Sequence, residues 1–348
     1  MRMNLRRSVA VVAGAMMAVG AATLASADTT GERVAGADRY LTSVEISKKL
    51  VPDVVSTVFI ASGESYPDAV VAGAAGGAFG YPVLLTEQDS VPDAVLVELE
   101  RLDPMFIVLL GGPAAVTFGV EEALREYGVV TRLGDENRYG TAVKLSRWAF
   151  EPGLRTAYLA SGSGFADALS GGVAGARVDG PVLLTDSNEL SPETAAHLAE
   201  YEPREIVVLG GSAAISEGVA AAAAEFAPVS RLAGPDRYAT SAAISSATFK
   251  TASTVLLANG TTFPDALSAA SAAVRRRTRP SRRAPAAAHA STESATGSST
   301  ARAAGSRLYR MNGTASSGLG VWRWVNSPYA APFFACSSID RSGEMSSA

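Results

Sequence analysis

Apolar residues in this chain gather in two kinds of segment. The runs 57–61, 82–86 and 105–110 have the length of single strands and are apolar without alternation, as strands covered on both faces are. Between them the apolar positions recur at helical spacing. Ala94, Val95, Val97, Leu99 and Leu102 make one such face, and 119–127 resumes the pattern. Gly63 ends the first run, Pro67 and Asp68 suit the first turn of a helix, Pro104 stops the next helix, and Gly111-Gly112 closes the third run. The order β-α-β-α-β-α predicts an α/β fold, a small doubly wound Rossmann-like module with a parallel sheet. Right-handed crossovers gather the loops after the strands on one rim, so 62–68 and 111–112 are expected to share it.

The whole pattern then returns. Arg39, Arg138 and Arg237, each followed by Tyr, stand 99 residues apart. Ser62-Gly63 and Tyr66-Pro67-Asp68-Ala69 return as Ser161-Gly162 and Phe165-Ala166-Asp167-Ala168, then one residue short as Asn259-Gly260 and Phe263-Pro264-Asp265-Ala266. The run 82–86 returns at 181–185, and 107–112 at 206–211. A period this long exceeds that of solenoids, and each copy can form its own core. The predicted organisation is a leader (1–27), two complete repeats (28–131 and 132–230), a partial third repeat (231–274) and a tail (275–348).

Composition adds a destination. Arg2, Arg6 and Arg7 precede an apolar stretch ending in Ala25-Ser26-Ala27, the pattern of a cleaved secretory signal, which implies a secreted chain with no transmembrane anchor after cleavage. The 18 uncharged residues from 69 to 86 are broken by Gly73, Gly76, Gly77, Gly80 and Pro82 and are read as helix plus strand, not as a membrane span. Residues 28–274 carry 16 Lys and Arg against 31 Asp and Glu, so the repeats repel nucleic acid. The tail from 275 has 11 Arg, no Lys and three acids. The sole cysteine, Cys336, lies there, leaving repeats that disulfides cannot stabilise.

Candidate chemistry is sparse. His197 and His289 are the only histidines, with no zinc-binding His-Glu-x-x-His and no Gly-x-Ser-x-Gly elbow, so the chain is expected to be no enzyme and to use no cofactor. Gly111-Gly112 and Gly210-Gly211 lie between strand and helix, where such pairs make a tight turn or hold an anion on backbone N–H groups. Asp68, Asp167 and Asp265 sit at loop-to-helix junctions, suited to capping or to accepting an Arg fork. Arg39, Arg138 and Arg237 offer such forks, within a module, between modules or toward an anionic ligand.

The openings Arg132-Leu133 to Arg138-Tyr139 and Arg231-Leu232 to Arg237-Tyr238, the Tyr/Phe-Pro-Asp-Ala loop, the Pro-Val-Leu-Leu-Thr block and the Val-Leu-Gly-Gly strand resemble, in order and spacing, the cell wall-binding repeat 2 family. The resemblance covers about 32–274. It implies modules in threes about a pseudo-threefold axis, anchoring exported proteins non-covalently to an anionic wall polymer of Gram-positive bacteria, teichoic acid-like or another secondary polymer. It makes Arg39, Arg138, Arg237, Ser62, Ser161 and Gly260 candidates for polymer contact. Acidic modules facing a polyanion call for a locally basic groove or a bridging divalent cation, the metal-site residues being unassigned. Many weak sites on one chain then bind by avidity. Alternatives are the anchor part of a peptidoglycan amidase or autolysin, and a self-assembling surface-layer or adhesion component.

The third copy breaks off. Its Pro-Val-Leu-Leu-Thr block is due near 280, where the chain instead reads Arg275-Arg276-Arg277 and then an Ala/Ser/Thr-rich stretch, which is read first as a reading-frame shift in a GC-rich gene, with a basic linker and an alternative C-terminus as the other readings. A third module without its later strands is expected to leave an open apolar edge.

Overall fold

The computed structural model describes residues 31–274 and two short strands further on, Thr300–Ala303 and Arg307–Arg310. The predicted leader, His289, Cys336 and most of the tail lie outside the described residues.

The first repeat runs α1 (Arg39–Leu50), β1 (Thr57–Ser62), α2 (Ala72–Phe79), β2 (Val83–Thr86), α3 (Asp93–Leu102), β3 (Phe106–Leu110), α4 (Phe118–Leu124) and β4 (Val129–Leu133). The second repeats the order with α5 (Arg138–Ala149), β5 (Thr156–Ser161), α6 (Ala166–Val178), β6 (Val182–Thr185), α7 (Pro192–Tyr201), β7 (Glu205–Leu209), α8 (Glu217–Ala223) and β8 (Val229–Leu232). Each makes a four-stranded, all-parallel sheet, in the orders β2-β1-β3-β4 and β6-β5-β7-β8. Every residue of β1, β2, β5 and β6 is buried, which is why these strands show no alternation in sequence. The fourth strand is the one the apolar pattern misses: 129–133 is exposed or half-buried and carries Thr131 and Arg132. It also crosses the sequence period, so a repeat boundary at 131 falls inside a strand of the first sheet.

The first helix after β1 also begins later than Pro67 suggests. Residues 67–71 form turns, with Ala69 and Val70 N–H both on the Tyr66 carbonyl, and α2 starts at Ala72. The second copy, with Ala166 in place of the proline, is helical from Ala166 onward.

Among the described residues the helices of the third repeat are α9 (Arg237–Thr248) and α10 (Pro264–Ala272). These are enough to complete a ring of helices. α2, α6 and α10 pack against one another, while α1 lies on α10, α5 on α2 and α9 on α6. The contact is built from small residues. A β-carbon on Gly73 would lie 2.6 Å from that of Ala270, and one on Gly77 would lie 2.7 Å from that of Ala176. Around this centre one continuous core joins residues of all three repeats, including Phe59, Leu85, Leu169, Leu184, Ile244 and Leu267. Trp148 of α5 meets Phe59 of β1 edge-on at 5.4 Å. Each complete module keeps a second core on its outer face.

Between α9 and α10 the chain departs from its sisters. Residues 251–259 form no strand and are exposed, with Val255, Leu256 and Leu257 at 72%, 45% and 94%. Their counterparts Val58, Phe59 and Ile60 in β1 are at 0%. The expected consequence of a missing half-module is thus an unpaired apolar segment rather than the free edge of a formed sheet.

Candidate functional site: three equivalent loops around one axis

The opening motif works as a local lock. Asp38 Oδ1 accepts from Leu41 N–H at 2.8 Å, Asn137 Oδ1 from Tyr139 and Gly140 N–H, and Asp236 Oδ1 from Ala239 N–H at 2.8 Å, so the Asp/Asn before each Arg-Tyr pair is the N-cap of α1, α5 or α9. The next residue reaches across to the loop that follows the first strand in the two complete repeats and to the matching loop in the third. Arg39 donates to the Gly63 carbonyl, Arg138 to that of Gly162 and Arg237 to that of Gly260. The following Tyr closes the contact, since a β-carbon on Gly63, Gly162 or Gly260 would lie 2.6, 2.6 or 2.5 Å from the ring of Tyr40, Tyr139 or Tyr238. These glycines are required by close approach rather than by backbone angle.

The serines beside them face inward. Ser62 is buried and its hydroxyl accepts from Glu64 and Ser65 N–H; Ser161 is buried and accepts from Ser163 N–H while meeting Ser187 Oγ at 3.1 Å. At the neighbouring strand ends Gly111 and Gly210 take φ of 100° and 92°, left-handed values that a side chain resists. Their N–H groups bond the Leu133 and Leu232 carbonyls, while the Gly112 carbonyl accepts from Ala115 and Val116 N–H and the Gly211 carbonyl from Ala214 and Ile215 N–H. Arg132 and Arg231 bind the carbonyls of Gly111 and Gly210, and Arg132 is further held by Glu121 at 2.7 Å, which draws the Glu121 carboxyl below its ordinary range against the effect of burial. Asp68 and Asp167 lie against Gly111 and Gly210. No ion pair within 4 Å among the described residues joins Asp68, Asp167 or Asp265 to the three repeated arginines. Burial raises the Asp167 carboxyl above its usual range, and the charge of Arg237 from the next repeat works the other way.

The loops of all three repeats meet at one end of the α2–α6–α10 axis. Tyr66, Phe165 and Phe263 form a trio with ring centroids 5.6, 5.7 and 6.2 Å apart, one ring from each repeat. Tyr66 Oη donates to the Ser163 carbonyl at 3.0 Å, tying the first loop to the second, and the Arg237 guanidinium lies 5.6 Å from the Phe165 ring centre. The sequence motif names each of these positions, but only folding around the axis brings them together.

A model for cell wall binding domain 2 matches residues 33–121, 132–220 and 231–280. The chain belongs to the cell wall binding domain 2 family. The matched spans cover β1 to β3, β5 to β7 and the helices of the third copy. Among curated relatives, the N-acetylmuramoyl-L-alanine amidase LytC of Bacillus subtilis is 28% identical over 254 residues, covering 73% of this chain and 50% of its own length. The Amidase enhancer of the same organism is 27% identical over 243 residues, 70% of this chain and 33% of its own. The chain therefore spans half or less of these relatives. In solved structures, Cwp8 from Clostridium difficile superposes over 69% of this chain and 42% of its own with a TM-score of 0.61 and 27% identity. Cwp6 from the same organism gives 0.63 at 24% identity over 69% of this chain and 39% of its own, a likeness of fold.

The buried histidine has a counterpart that sequence reading misses. His197 occupies the place that Glu98 holds one period earlier, and each faces the equivalent serine: Glu98 accepts from Ser47 at 2.6 Å, and His197 Nε2 meets Ser146 Oγ at 2.9 Å. The signal was present in the 99-residue step but hidden by the change of residue type. Among the described residues no group of three His, Cys, Asp or Glu side chains is placed to hold a metal ion, and no helix is long and apolar enough to cross a membrane.

Proposed function

We propose that this chain is an exported, non-catalytic wall-binding protein that anchors to an anionic wall polymer through its tandem repeats. The observation that carries the reading is the meeting of three equivalent loops, one from each repeat, around the Tyr66–Phe165–Phe263 trio with Arg237 beside it. Aromatic faces suit sugar rings, and a guanidinium suits an acidic substituent. Arg39 and Arg138 take the equivalent places in the other repeats, which supports contacts repeated along a polymer. Against the net acidity of the repeats, binding relies on this local arrangement or on a bridging divalent cation.

The test is binding of the full chain and of Arg237→Gln to wall fragments. Because the Arg237 bond to the loop is exposed, the variant is expected to keep its stability within about 1 kcal/mol and to lose affinity several-fold. Unchanged affinity would remove Arg237 from the site.

A second reading, an anchor working with a peptidoglycan amidase, is favoured by the matches to LytC and the Amidase enhancer over the repeat region. Hydrolysis of peptidoglycan by the purified chain alone would contradict the non-catalytic reading.

A further inference from the structure

Asn259-Gly260 stands where the complete repeats have Ser62-Gly63 and Ser161-Gly162. The exchange sets a side-chain amide beside a peptide nitrogen that no β-carbon of its own residue shields. In the complete repeats that nitrogen is occupied. Ser62 and Ser161 end β1 and β5 and pair with Thr86 and Thr185, whose carbonyls accept from the Gly63 and Gly162 N–H groups at 2.8 Å. In the third repeat 251–259 form no strand and Asn259 is exposed. Among the described residues the Gly260 N–H makes no hydrogen bond. No ladder therefore holds the backbone here extended, and the nitrogen can turn toward the side chain.

The side chain is held in its place. Asn259 Oδ1 accepts from the Thr261 N–H at 2.9 Å and from Thr261 Oγ1 at 2.7 Å. This turn curls the amide over the Gly260 peptide, and two donors on one oxygen draw electron density from Cγ and suit a developing oxyanion. We propose that Asn259 is a site of self-modification in the folded chain, where the Gly260 nitrogen attacks Asn259 Cγ. The new N–C bond closes a succinimide ring. The Gly260 proton passes to hydroxide, negative charge collects on Oδ1 between the two Thr261 donors, and Nδ2 leaves as ammonia. Water then opens the ring at either carbonyl, so one amide and one water become one carboxylate, aspartate or isoaspartate, and one ammonium. The product alters the loop whose Gly260 carbonyl Arg237 holds at 2.8 Å. The inference goes beyond wall binding and does not depend on it.

Peptide mapping by mass spectrometry of the full chain aged in mildly alkaline buffer, with isoaspartate separated from aspartate, tests it. Asn259 is expected to convert at least about tenfold faster than Asn137 and Asn188 in the same sample, whose following residues are Arg138 and Glu189. The rate should rise with pH. Thr261 is exposed, so its variants are compatible with the fold. Thr261→Val keeps the N–H but loses the hydroxyl and should slow the conversion several-fold, while Thr261→Ser should preserve it. An Asn259 that stays intact in the folded chain yet converts in the urea-unfolded chain overturns the proposal. Equal rates in the parent and Thr261→Val overturn it as well.

Discussion

Glu98 and His197 show how one buried polar position can be solved twice. Glu98 is held by Ser47 and by Arg101 at 2.6 Å, so its charge is compensated where it is buried. Removing it as Glu98→Ala leaves Ser47 without its acceptor and Arg101 without its partner, and is expected to cost about 2–4 kcal/mol in urea unfolding. His197 keeps its place by staying neutral: burial, assisted by Arg147 and opposed by Glu200, lowers its pKa to about 4, and its Nδ1 has no hydrogen-bond partner among the described residues. The unfolded chain takes up this proton near pH 6.5 and the folded one only near 4. The contribution of neutral His197 is therefore complete above about pH 6.5 and is lost as pH falls toward 4. Unfolding free energies of the parent and His197→Gln, compared from pH 7.5 to 4, are expected to converge as the pH falls. A constant difference would contradict the assignment. None of this is legible from composition, which reports only that histidine is rare.

Between elements, the decisive surfaces are the small-residue faces of α2, α6 and α10. The three glycines of 72–79 lower the intrinsic propensity of a segment that nonetheless reads as a small-residue helix. Packing overrides propensity, because only small side chains let three helices approach about one axis. Gly73→Val is expected to destabilise the chain by about 1–3 kcal/mol, since its β-carbon would meet Ala270 at 2.6 Å. Gly211→Ala, with open space at that point, is the control and should leave the melting temperature within a degree or two. Strands and outer helices were legible because burial on both faces or on one leaves a periodic mark. The strands β4 and β8 were not, since each is an edge strand with little of its surface buried and with arginine used to hold a glycine carbonyl.

At the scale of the molecule, the third repeat keeps the part that closes the ring and lacks the part that makes a sheet. The break in the 99-residue period was plain in the sequence. That α9 and α10 still dock was not, because their partners lie in the other repeats. The same holds for the candidate site: its motifs were readable one at a time, but Tyr66, Phe165 and Phe263 were not among the candidate residues, because their meeting depends on three-way packing. The ring is what lets a chain with an incomplete third repeat still present three loops. The measurement that tests this account most directly is co-sedimentation of the full chain with purified wall sacculi, before and after chemical removal of their anionic polymers, with calcium and with a chelator. The account predicts binding that disappears when the polymers are removed. Binding that persists on stripped sacculi, or none on intact ones, would contradict it.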